Sequence, residues 1–194
     1  PYLSEGHVLV QNSYSAISLG TEKSSINIAK KNLLQKAKSR PKEMKQVIEL
    51  MKKEGIFRAY NRAIEKLEFP SALGYSSSGT VIKIGEGVTE FSIGDRVACG
   101  GLGHSEVVAA PKNLCVRVPE NVELRHAAFT TIGAIAMQGL RQADVRLGEN
   151  ILVIGLGIVG QMSLQLLSAA GCNPIGIDID KNKVKFSLSL GFNS

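Results

Sequence analysis

Hydrophobic positions along the chain switch repeatedly between a strand period and a helical one. Over residues 7–19, HVLVQNSYSAISL, Val8 and Val10 alternate with polar neighbours, which predicts a strand. Gly20-Thr21-Glu22 then breaks the pattern as a turn. A helical period follows in three pieces. Ile26, Ala29, Leu33, Leu34 and Ala37 share one face of the first. Met44, Val47, Ile48 and Met51 stripe the second, which Pro41 and Glu43 open and Gly55 stops. Ile56, Tyr60, Ala63, Ile64 and Leu67 stripe the third, before Pro70. From Leu73 the texture becomes short strands over 79–84, 96–99, 106–109 and 114–118, with turns at Gly85-Glu86-Gly87 and Gly94-Asp95. Such close spacing with glycine punctuation predicts a small β-barrel. Residues 123–142 read as a helix that Gly133 and Gly139 interrupt.

The last segment is the most informative. Residues 151–154 form a continuous apolar, partly β-branched run, the pattern of a strand buried on both faces of a parallel sheet. Gly155-Leu156-Gly157-Ile158-Val159-Gly160 follows at once. A helix-period stretch then carries Met162, Leu164, Leu166 and Leu167 to Gly171, and a second apolar run, 175–177, closes on Asp178. Residues 183–190 read as a further helix capped by Gly191.

The chemistry of that unit follows from its residue types. Gly155 permits a tight turn out of the strand, Gly157 leaves no Cβ between backbone and a pyrophosphate, and Gly160 lets the helix pack closely. The free N–H groups at the helix start then face phosphate. Asp178 stands at the end of the next strand, where a carboxylate can accept the ribose hydroxyls of adenosine. A 2′-phosphate there would meet a like charge, which favours NAD over NADP. Asp180 strengthens this preference, while Lys181 and Lys183 weaken it.

Composition narrows the alternatives. At 44% hydrophobic and 21% charged, the 194 residues have the balance of a globular protein, and no apolar run is long enough to cross a bilayer. The net charge of +6 is concentrated: residues 23–66 carry 13 Lys and Arg against 4 Glu, and the remainder is slightly acidic. Few aromatics interleave those lysines, so solvated faces of amphipathic helices are favoured over a nucleic-acid surface. Cys99, Cys115 and Cys172 are odd in number, far apart and without a C-x-x-C pair. They suggest buried filler in a reducing cytoplasm, with neither a disulfide framework nor a sulfur-rich metal site. His7, His104 and His126 are isolated, each without a second ligand at i+3 or i+4. The dinucleotide unit has two strands where such folds use about six, so the chain is expected to be part of a longer protein.

Barrel first and dinucleotide fold second, with GEGVTEFSIGDRV in one and VIGLGIVG in the other, resembles the medium-chain dehydrogenase/reductase family of zinc alcohol dehydrogenase-like enzymes. The resemblance implies an α/β plus β architecture. A GroES-like β-barrel over 1–122 would carry a helical basic insert at 23–68, and 123–194 would form the first part of a Rossmann NAD-binding domain. GIDIDKNK resembles the adenosine-ribose segment, placing Asp178 on the ribose and Lys183 beside it. The GTE turn, the lysine-rich insert and LGYSSSGTV resemble a subgroup joined to a glucose-fructose oxidoreductase-like half.

Departures from the family pattern matter as much. The positions that supply zinc ligands read Ser18, Gly74-Tyr75-Ser76 in place of G-H-E, and Ile132, groups that bind Zn²⁺ poorly or not at all. The four-cysteine structural-zinc lobe is missing too. Ala136 stands where many relatives carry a Thr near the nicotinamide. The resemblance therefore implies an NAD-dependent, zinc-independent oxidoreductase acting on a carbonyl or alcohol. Thr21, at the position of the family's relay hydroxyl, and Tyr75, at the former His position, are the catalytic candidates. Thr21 as a helix cap and Tyr75 as a space-filler are the plainer alternatives. The expected partners are a small-molecule substrate and further copies of the chain in a homo-oligomer, with no nucleic acid and no membrane. A catalytically silent nucleotide-binding or assembly module is the alternative reading.

Overall fold

The computed structural model describes residues 3–29 and 73–194. The second and third predicted helices, and most of the basic insert, lie outside the described residues. The chain divides into two compact units, residues 19–73 and residues 1–18 with 74–194. From the first of these, α1 (Leu19–Ala29) is described. Helix begins at Leu19, so Gly20-Thr21-Glu22 is its first turn and not the predicted break. Glu22 suits that place, where the positive end of the helix dipole favours an acid.

The other unit holds two sheets. β1 (His7–Ser15), β2 (Ser76–Ile84), β3 (Arg96–Gly100), β4 (Val107–Pro111) and β5 (Cys115–Arg117) form one antiparallel sheet in the order β4-β1-β2-β3-β5. β4 and β5 are its edges and do not pair with each other, so strand spacing anticipated the strands while a closed barrel remains an expectation. β2 starts at Ser76, three residues before the apolar pattern predicts, because Ser76, Ser77 and Ser78 are buried in the ladder despite their polarity. Two of these serines make bonds that offset the cost of burying a hydroxyl: Ser76 Oγ donates to the Ala128 carbonyl at 2.6 Å and Ser78 Oγ to that of Leu124 at 2.5 Å.

Alternation sets the core. Val8, Val10, Val81 and Val97 are fully buried, with Phe91, Cys99, Val108 and Ala110 packed around them. β1 and β2 approach so closely that a Cβ on Gly79 would run into the Gln11 carbonyl. The turn after β5 is tied back by the Arg96 guanidinium, which donates to the carbonyls of Pro119, Glu120 and Val122.

The predicted helix over 123–142 is two helices, α2 (Leu124–Ala127) and α3 (Thr130–Gln142). The break falls at Ala128-Phe129 and not at a glycine. Gly133 lies inside α3, facing Met162 of the next helix, and a Cβ there would sit 3.2 Å from the Met162 Cε. Its role is to let two helices approach.

The second sheet is parallel: β6 (Asn150–Ile154), then α4 (Ile158–Ala169) as crossover, then β7 (Asn173–Ile177) in register, Ile151 opposite Pro174 and Ile154 opposite Ile177. α5 (Lys181–Ser189) follows, capped by the Asp180 side chain on the Asn182 amide, and the chain returns so that Asn193 bridges Ile175 in parallel. Leu164 and Leu167 of α4 are buried, each contributing about 1.5–3 kcal/mol. Burial on both faces of β6 is not what the structure shows. Leu152, Ile154, Ile175 and Ile177 are 55%, 80%, 40% and 44% exposed. One side of this sheet carries α4, and among the described residues nothing covers the other.

Candidate functional site

The turn between β6 and α4 is built by three glycines with three different constraints. Gly155 has φ +96°, in the left-handed region that a side chain disfavours, and it reverses the chain as the strand ends. Gly157 precedes the first residue of α4 in an extended conformation, and a Cβ there would meet nothing within 4 Å. Gly160 is the opposite case. A Cβ on it would collide with the Gly155 carbonyl oxygen, so the first turn of α4 packs on the loop itself, with Val153 beyond. The predicted close packing of helix on sheet is thus a closer packing of helix on turn.

Between these glycines, Leu156 points inward at 2% exposure and lies against Gly176, where a Cβ would come within 2.6 Å of Leu156 Cδ2. Its backbone therefore faces the site. Ile158 and Val159 begin α4, and their amides lie in the first turn, where helix N–H groups lack intrahelical partners.

Asp178, just past the end of β7, closes the other side. One carboxylate oxygen accepts the Leu156 amide at 2.7 Å and Lys183 Nζ at 3.4 Å, and the other accepts the Asp180 amide at 2.8 Å. The Asp178 side chain is 7% exposed and that of Lys183 45%. The two backbone amides, Asp180 first and then Leu156, hold the carboxyl below the ordinary carboxylate range, with the Lys183 charge assisting. The structure thus brings the Gly155–Gly160 turn, Asp178 and Lys183 into one cluster.

Sequence reasoning did not single out Gln161. It is buried in the first turn of α4, with Nε2 3.5 Å from the Leu156 carbonyl and Oε1 without a partner. Its place directly after Gly160 was the available signal.

The remaining candidates are spread more widely. Thr21 lies exposed in α1, within the helix and not at its cap, and Tyr75 is half-buried just before β2. They belong to different compact units. His104, isolated in sequence, seats its ring against Gly74, the neighbour of Tyr75, and its Nδ1 lies 2.8 Å from Ser15 Oγ. Gly74 has φ +93°, and a Cβ there would stand 2.9 Å from both the ring and the His104 backbone nitrogen. Long-range pairing of this kind leaves no periodic trace. Cys99 and Cys115, far apart in sequence, bring their sulfurs to 3.6 Å. A separate open cleft of about 470 Å³, walled by Val116, Phe129 and Met162, contains none of the predicted site residues.

Residues 48–136 match the family described as Alcohol dehydrogenase GroES-like domain. D-guloside 3-dehydrogenase of Shigella flexneri is 35% identical over 109 residues, which cover 55% of this chain and 31% of that protein. Probable D-xylulose reductase A of Aspergillus clavatus is 30% identical over 149 residues, covering 61% and 42%. A quinone oxidoreductase of Pseudomonas syringae superposes with TM-score 0.65 at 27% identity, over 99% of this chain and 50% of the other. These likenesses support an alcohol dehydrogenase-like member of the medium-chain dehydrogenase/reductase family. The chain spans less than half the length of these two curated relatives.

The positions that the sequence resemblance assigns to zinc ligands can be described in place. Ser18 is buried. Ser76 Oγ donates to the Ala128 carbonyl and accepts the Thr131 amide at 3.3 Å. Ile132 is fully buried in α3, and Ala136 is 2% exposed one turn on. With Tyr75 at the His position, three hydroxyls and an apolar side chain are a poor donor set for Zn²⁺. Among the described residues no three His, Cys, Asp or Glu stand together as a metal cluster.

Proposed function

We propose that the protein is an NAD(H)-dependent, zinc-independent oxidoreductase that moves hydride to or from a carbonyl or alcohol. The division into a barrel over 1–122 and a dinucleotide domain from 123 is part of this reading. The observation that carries it is the Asp178 carboxylate held beside an open glycine turn by the Leu156 amide.

The residues fit the cofactor. A pyrophosphate would rest against Gly157 and the first-turn amides of Ile158, Val159 and Gly160, where no Cβ intrudes. A carboxylate has about four acceptor positions, and three are taken in Asp178. One adenosine-ribose hydroxyl can be accepted as it stands, and a second requires Lys183, at 3.4 Å, to swing away. When bound, the nicotinamide supplies or takes up the hydride.

Reduction of a carbonyl also needs a proton on oxygen. With hydroxyl and apolar groups at the metal-ligand positions, that proton and the hydrogen bond to the developing alkoxide fall to a hydroxyl, for which Tyr75 and Thr21 are separate candidates, worth about 10²–10⁴-fold. The substrate is a small carbonyl or alcohol, and no membrane or nucleic-acid partner is needed.

Calorimetric titration with NADH, NADPH and ADP-ribose tests the binding half, with NADH and ADP-ribose expected to bind and Asp178→Ala to lose both. No heat of binding from any of the three at millimolar concentration sinks the reading. The burial of Ile132 at a metal-ligand position favours a second reading, a catalytically silent nucleotide-binding or assembly module. Turnover of a carbonyl panel with NADH, reduced by Tyr75→Phe or Thr21→Val, would exclude it.

A further inference from the structure

Three cysteines give no disulfide pattern in the sequence, yet two of them are direct cross-strand partners. β3 and β5 pair antiparallel with Cys99 opposite Cys115, and Ser77 stands opposite Cys99 on the other side. Directly opposed residues of an antiparallel pair have Cα atoms about 4.5–5.5 Å apart, inside the range of about 4.4–6.8 Å that a disulfide spans. The sulfurs are 3.6 Å apart, so a small adjustment of side-chain torsions closes the bond without moving backbone. Cys172 takes no part, its Sγ lying 3.3 Å from the Arg146 carbonyl.

We infer that Cys99 and Cys115 are a reversible oxidation site, a cross-strand dithiol that low-molecular-weight disulfides convert to a disulfide. The two thiols differ in the way such a step requires. Cys115 is partly exposed on the edge strand β5, and Cys99 is buried at 2%. The hydrogen bond between the two sulfurs, in which either thiol can donate, holds the Cys115 thiol below its ordinary range. The same bond, then burial, pushes Cys99 up.

The Cys115 thiolate therefore attacks one sulfur of the oxidant and expels one thiolate, leaving a mixed disulfide. Cys99 then gives up its proton, attacks Cys115 Sγ and expels the second thiolate. Two protein thiols lose two electrons and two protons, and the oxidant becomes two thiols. The product ties the three-residue edge strand β5 covalently to its neighbour β3.

The test is incubation of the full chain in graded oxidised and reduced glutathione, an acid quench, alkylation of free thiols, and tryptic mass mapping. Cleavage after Arg96, Lys112 and Arg117 puts the two cysteines on separate peptides, 97–112 and 113–117. The expected result is a linked pair two hydrogens lighter than the sum of its parts, lost on reduction, with a raised unfolding midpoint. Cys172→Ser should cross-link as wild type does. Cys99→Ser should leave glutathione on Cys115, and Cys115→Ser should leave Cys99 unmodified. Three results would each overturn the inference: wild-type Cys115 retaining glutathione as fully as Cys99→Ser does, Cys99 gaining glutathione in Cys115→Ser, or both thiols staying reduced while Cys172 reacts.

Discussion

The Asp178 carboxylate accepts the Leu156 amide at 2.7 Å across 22 residues of sequence, joining the end of one parallel strand to the turn after its neighbour. Charge-assisted bonds to backbone amides are stronger than neutral ones, so this contact fixes both the acid and the mouth of the turn.

That contact has a pH signature. The folded-state value for Asp178 lies below its unfolded value near 3.8, so the stabilisation is complete above that pH and is lost as pH falls through the folded value. Asp178→Asn should be less stable than wild type at neutral pH. The difference should narrow as the solution is acidified below pH 4, and paired denaturant titrations across pH 3–7 measure it.

The glycines of the turn separate folding from binding. Gly160→Ala puts a Cβ into the Gly155 carbonyl and should cost about 1–3 kcal/mol in urea unfolding. Gly157→Ala meets nothing within 4 Å, and its stability should stay within about 0.5 kcal/mol of wild type. Its affinity for ADP-ribose should nevertheless fall about tenfold or more, because the added methyl group occupies the space proposed for pyrophosphate.

Lys183 tempers the charge of Asp178 from 3.4 Å. Lys183→Ala leaves the acid unopposed, so the preference for NADH over NADPH should widen severalfold, read as the ratio of their dissociation constants. An unchanged ratio would remove Lys183 from the cofactor site.

Ser76 joins the antiparallel sheet to the start of α3, donating to Ala128 and accepting from Thr131. Ser76→Ala leaves a buried carbonyl without its donor and should cost about 1–3 kcal/mol in chemical denaturation. Ser76→Thr, which keeps the hydroxyl, should recover part of that loss.

Local rules determined a great deal. Strand, glycine turn, helix and acid were legible over 151–178 because each rests on nearby residues: an apolar run, a missing Cβ, a helical period, a terminal carboxylate. Gly171 and Gly191, with φ of +78° and +87°, end their helices as their positions imply. The start of β2 was not legible, since Ser76 and Ser78 bury hydroxyls whose acceptors lie 52 and 46 residues away. Nor were the roles of Gly133 and Gly160, which depend on what stands opposite. Tertiary structure alone set His104 against Gly74 and Cys99 beside Cys115, because strand register, and not spacing in sequence, decides which side chains meet across a sheet.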